Sequence, residues 1–272
     1  MTLLFVARLV FALGSVSAGP VPCEDLRKAL DDELNRTSVA MEPESGLASI
    51  YDQATGAAAR CPDSEGLAYL RLRTAELGRG APVGRQPAAA SDEWRKLVLT
   101  LLAKFPRSAR IATIQARASG TIADARHALA LDPTYLPARV ALAAALVSSS
   151  PAEAATYLTP EHDLATVSDG YAVLARTRWA LGDSAGATEA AKVALHARAF
   201  HLIEPDGRDP RPVSAAHEVL GQVLLAKKRF REAATHLKSA AQDSAVARHI
   251  LADPPPGLQR VLQSSPQRSA RP

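Results

Sequence analysis

The residues of this chain that could do chemistry are few and scattered. Glu161-His162-Asp163 sets three ionisable side chains in a row, the raw material of an acid–base or metal site. Neighbours on a loop point apart, however, and working ligand sets converge from separate elements, so the triplet reads as a solvated loop. His217-Glu218 begins like a metalloprotease helix but lacks a second His four residues on. The sequence contains no Gly-x-Ser-x-Gly elbow, no phosphate-binding glycine loop and no dinucleotide fingerprint. These features point away from an enzyme and imply no cofactor.

Two cysteines, Cys23 and Cys61, are the next candidates. The chain between them reads as a helical hairpin. Leu26, Leu30 and Leu34 share one face of a helix predicted from Cys23 to Ser38. Met41 to Ser45, with Pro43, reads as a turn. Leu47, Ile50, Tyr51 and Ala54 share one face of a second helix, from Gly46 to Arg60, which Pro62 stops. At 1.5 Å per residue the helices are roughly 24 and 22 Å long. An antiparallel hairpin of matched lengths brings the two cysteines together, and a bond there stabilises by roughly 4 kcal/mol in the chain-entropy treatment. The alternative is a pair of unpaired thiols in a cytosolic protein. Two cysteines without a His at ligand spacing do not make a zinc site.

The N-terminus favours the oxidised reading. Leu3 to Val16 is apolar apart from Arg8, and Val16-Ser17-Ala18 supplies the small residues signal peptidase accepts. Residues 1–18 therefore read as a cleavable secretory signal, too short to span a bilayer. Pro20-Val21-Pro22 before Cys23 is no lipobox. The predicted location is the periplasm or the cell exterior, with no membrane span. Asn35-Arg36-Thr37 matches a glycosylation sequon but falls inside a predicted helix, and the Ala- and Arg-rich composition suits a bacterial chain.

Composition predicts an all-α fold. Apolar residues make up 47% of 272 residues but aromatics only 4%. Ala, the best helix former, dominates, and alternating β-branched runs are absent. The net charge of +4 is small, and the Arg residues form no dense cluster with interleaved aromatics, which excludes a nucleic-acid footprint. Helices are predicted over 64–77 and 92–105, the second capped by Ser91, with the linker Gly78 to Pro87 between them. Ser150-Pro151-Ala152-Glu153 has the pattern of a capped start with a capping box. Beyond Asp253 the prolines and polar residues predict a disordered tail over 253–272.

The stretch Ser214 to Ala240 carries the most information. Counted from Ser214, Leu220 and Gly221 fall at positions 7 and 8, Leu224 at 11, Ala233 at 20, Leu237 at 24 and Ala240 at 27. Small residues at 8, 20 and 27 let two antiparallel helices approach, and large ones at 7, 11 and 24 fill the seam. This pattern resembles the tetratricopeptide (TPR) repeat. Starts at Leu136 and Ser168 give two further copies 32 residues apart, against a family period of about 34. The start at Ser214 comes 46 later, and Arg198 to Val213 reads as an inserted loop. The resemblance covers roughly 107–245. It implies a right-handed α-solenoid of helical hairpins over 63–252, following the disulfide-linked hairpin of 19–62. A generic Ala-rich helical array of another type is the alternative.

The resemblance also implies a binding groove, lined by positions 2, 5, 9, 12 and 13 of each first helix. These are Asp169, Ala172, Arg176, Trp179 and Ala180 in one repeat, and Ala215, Glu218, Gln222, Leu225 and Ala226 in the last. Arg176 and Trp179 share a helix face and would suit a peptide carboxylate or aromatic side chain. The alternative for Trp179 is packing against the next repeat. The two-carboxylate clamp of chaperone-binding relatives needs Lys and Asn, and Ala172 and Glu218 at position 5 exclude it. The function so implied is a non-enzymatic scaffold for protein or peptide. The alternatives are a structural subunit of an envelope assembly or an accessory subunit of an enzyme. Nothing in the sequence bears on oligomeric state.

Overall fold

A computed structural model describes residues 21–38, 43–77, 92–167, 169–199, 211–241 and 244–264. The expected signal at 1–18, the linker 78–87, the cap Ser91 and most of the expected inserted loop lie outside the described residues. All regular structure within them is helical, and they include no strand. In chain order the α-helices are α1 Cys23–Ser38, α2 Pro43–Arg60, α3 Glu65–Leu77, α4 Asp92–Lys104, α5 Ala109–Ser119, α6 Ile122–Leu131 and α7 Leu136–Leu146. They continue as α8 Pro151–Thr156, α9 Gly170–Ala180, α10 Ser184–Ala199, α11 Arg211–Ala226, α12 Phe230–Ala240, α13 Ala245–Ala252 and α14 Pro256–Ser264. A 3-10 turn, Glu161–Thr166, precedes α9.

Local chemistry sets the boundaries. Ser108, Thr121 and Ser244 cap α5, α6 and α13, each accepting a backbone N–H three residues on. Gly182, at φ 81°, makes the turn between α9 and α10. Two prolines act as starters, where the sequence reading puts them in loops. Pro43 opens α2 and Pro212 lies in the first turn of α11; their missing N–H is no loss there. At Ser150 the expected capping box does not form. The serine makes no side-chain cap bond, and Glu153 pairs instead with Arg126 of α6 at 3.1 Å. Helix α8 ends early, at Thr156, and Ala154 enters the core.

Cys23 and Cys61 are joined by a disulfide with Cα atoms 5.9 Å apart, across a separation of 38 residues. Leu30, Leu34, Ile50, Ala54 and Ala57 fill the hairpin beneath it, and Leu67 and Leu70 of α3 complete that core. Packing therefore continues past residue 62. Further clusters follow in chain order: one over α3–α5 around Trp94, one from α5 to α11, and one over α12–α14. Each helix from α1 to α12 touches the next. Each odd-numbered helix from α1 to α11 also touches the following odd-numbered one, so these form an unbroken row.

The expected disordered tail is corrected over 256–264. Leu258, Val261 and Leu262 lie on one face of α14 and pack against α12, and Leu258 is fully buried. Gly257 permits the approach, since a Cβ there would stand 2.2 Å from the Phe230 ring.

Candidate functional site

The expected groove residues sit on α9 and α11, adjacent members of the odd-numbered row. Small residues bring the layers together. Gly221 is buried, and a Cβ on it would lie 2.7 Å from Leu237 Cγ of α12. That close contact fixes α11 against α12, and the next residue, Gln222, turns toward α9 to meet Trp179.

A polar network runs along this seam. Trp179 Nε1–H donates to Gln222 Oε1 at 2.7 Å. Gln222 Nε2–H donates to Glu218 Oε1 at 3.2 Å. Ser244 Oγ–H donates to Glu218 Oε2 at 2.7 Å while the same oxygen caps α13. Arg176 Nε stands 3.9 Å from Glu218 Oε1. Glu218 is buried and multiply held, so its charge is matched in place. Arg176 is the exposed member, at 38% for its side chain. A guanidinium carries five N–H donors, and a 3.9 Å contact is longer than a hydrogen bond.

Four of the ten sequence-derived groove residues thus meet: Arg176, Trp179, Glu218 and Gln222. Asp169 lies further along the row, where Arg117 of α5 reaches it at 3.5 Å. Arg117 also stands 4.0 Å from Glu76 of α3, which holds the fully buried Arg73 at 2.7 Å. Leu225 stays apart from the network and packs, half-buried, against the α12–α14 cluster. The Trp179 ring packs against the central core, the alternative expected for it, while its N–H meets Gln222. Ala172 is buried, and Ala180 and Ala226 are exposed.

Sequence reasoning missed Ser244, Arg117, Glu76 and Arg73. Arg73 and Glu76 stand three apart on a helix that is apolar on most sides, a spacing that signals an internal pair. Ser244 precedes an Ala-rich helix and is legible as a cap, but its second bond to Glu218 is a tertiary fact. A pair formed by His217 and His236 was also missed; their Nδ1 atoms are 2.7 Å apart. They are 19 residues apart in sequence, and only the hairpin brings them together.

Glu161 pairs with Arg178, and His162, 82% exposed, pairs with its neighbour Asp163. Glu218 turns to Ser244 while adjacent His217 turns to α12. Among the described residues no three or more His, Cys, Asp or Glu side chains gather to hold a metal. No described helix is long and apolar enough to cross a membrane. No protein-family model matches the chain, and no curated protein matches it.

Proposed function

We propose that this protein is a TPR-type scaffold: a right-handed array of helical hairpins that binds protein or peptide on its odd-numbered row and does no chemistry. One observation carries the reading. The residues placed at groove positions by repeat counting alone, Arg176, Trp179, Glu218 and Gln222, meet in one network on adjacent helices of that row. Cores strung out in chain order agree with a repeat array, in which each unit buries its faces against its neighbours. The half-exposed Arg176 beside the Trp179 indole offers an anchor of the kind that dominates interfaces. The partner is a polypeptide with an acceptor group for Arg176 and an apolar side chain for Trp179, and nucleic acid is not a ligand.

The protein works in the periplasm or outside the cell. The Cys23–Cys61 disulfide is compatible with an oxidising compartment, and cleavage after Ala18 completes this part of the proposal. The test is affinity capture from cell-envelope extract with wild-type and Arg176→Ala protein, with melting measured on both. A partner held by wild type and lost by the variant at unchanged melting supports the groove. A partner held equally by both overturns it. A stoichiometric partner that resists high salt instead marks a structural subunit.

A further inference from the structure

The charge of this protein is gathered at one end. Residues 227–264 hold seven Lys and Arg against three Asp and Glu, a net +4 that equals the charge of the whole chain, so the rest of the chain balances. Four of these cations share one surface. Lys227 and Lys228 sit in the turn between α11 and α12. Arg231 and Lys238 lie two turns apart on one face of α12, about 10 Å along its axis. Ala233, Ala234, Leu237 and Ala240 bury the other side of that helix. All four cations are exposed. Among the described residues none of the four forms an ion pair, and nearby Glu232 is held by Arg229. Arg248 of α13 extends the surface past the end of α12, where its guanidinium donates to the Ala241 carbonyl at 3.0 Å.

Lys228 is held in this turn at a backbone cost. Its φ of 58° lies in the left-handed region, which favours Gly. Gly182 stands at the same place in the preceding hairpin, fifteenth from Ser168 as Lys228 is from Ser214. The turn therefore carries an ammonium where a glycine would sit more easily. An ammonium on a flexible stem is a hydrated point charge rather than a fixed fork. Three of the four cations are lysines and none is pinned by a carboxylate, which suits a fluid surface whose charges have no set positions. Arg176, held near the buried Glu218, shows the opposite arrangement. From this surface we infer that the α11–α12 turn and the exposed face of α12 dock the protein on an anionic lipid bilayer. The docking is peripheral, since no described helix is long and apolar enough to cross. Each Lys or Arg near such a surface is worth about fivefold in affinity, and salt screens the attraction.

The probe is sedimentation of the full chain with vesicles of phosphatidylcholine alone or of an equal mixture with phosphatidylglycerol. The expected result is binding to the mixed vesicles that exceeds binding to the neutral ones and falls as salt rises. Lys227→Gln, Lys228→Gln, Arg231→Gln and Lys238→Gln combined should weaken it about a hundredfold or more, with helicity unchanged. The control removes four exposed cations elsewhere, Lys28→Gln, Arg60→Gln, Lys96→Gln and Arg107→Gln, and should keep the binding. Equal losses in both variants would mean that net charge alone is read, and would overturn the inference. So would wild-type protein without preference for the anionic vesicles, which requires no variant. Polyglutamate held more tightly than vesicles of equal charge would assign the surface to an acidic polypeptide and overturn it too.

Discussion

Replacing Gly221 with Ala sets two opposed effects against each other, and the structure decides between them. Ala in a helix interior is worth about 1 kcal/mol more than Gly. Gly56 shows that effect alone: it lies inside α2, exposed, with nothing within 4 Å of an added Cβ. Gly56→Ala should therefore stabilise by about 1 kcal/mol. At Gly221 the new Cβ would meet Leu237 at 2.7 Å (Cγ) and 2.8 Å (Cδ2), with the Leu237 backbone nitrogen at 3.4 Å. Leu237 is fully buried, so it cannot swing away. Overpacking of this kind costs about 1–3 kcal/mol. The propensity gain offsets part of it, and the net expectation is a loss of about 1 kcal/mol, opposite in sign to Gly56→Ala. Urea titration of the three proteins reads the comparison directly. If Gly221→Ala stabilises as much as Gly56→Ala, α11 and α12 are not in close contact, and the packing reason for a small residue at that position is wrong.

Two further expectations follow from buried charge. Glu76 is the carboxylate that Arg73 and Arg117 both face, so Glu76→Ala should cost about 3 kcal/mol or more, whereas Arg73→Met with Glu76→Met should cost much less; denaturant midpoints of the single and double variants check this. Burial pushes the His236 pKa below its ordinary value, against the opposing pull of Glu232. The unfolded chain then takes up this proton more readily, so stability present above about pH 6.5 should decline as pH falls through the folded value, and His236→Gln should flatten that slope in unfolding measured from pH 7.5 to 5.

The parts of this structure legible in sequence are those with local causes. The bounds of α1 followed from its leucine spacing, and the cysteine pairing followed from two helices of matched length. Gly221 was readable because close packing demands a small residue there. The C-terminal helix was not readable: Leu258, Val261 and Leu262 are too few to suggest burial until Phe230 and Leu237 are seen waiting for them. The short α8 was hidden for the opposite reason, since Ser150 to Glu153 looks like a strong helix start whatever follows it. Within the candidate site, repeat counting reached Arg176, Trp179, Glu218 and Gln222. It could not reach Ser244, Arg117 or His236, whose partners come from distant parts of the chain.

The central claim is that a polypeptide partner lies along the odd-numbered row. The most direct measurement places a photo-crosslinking amino acid at one position per variant and irradiates the protein in its native envelope. Arg176 and the exposed Ala226 probe the row, and the exposed Lys192 and Val193 probe α10. The account predicts discrete protein adducts from positions 176 and 226 and none from 192 and 193. Adducts confined to positions 192 and 193 would contradict it.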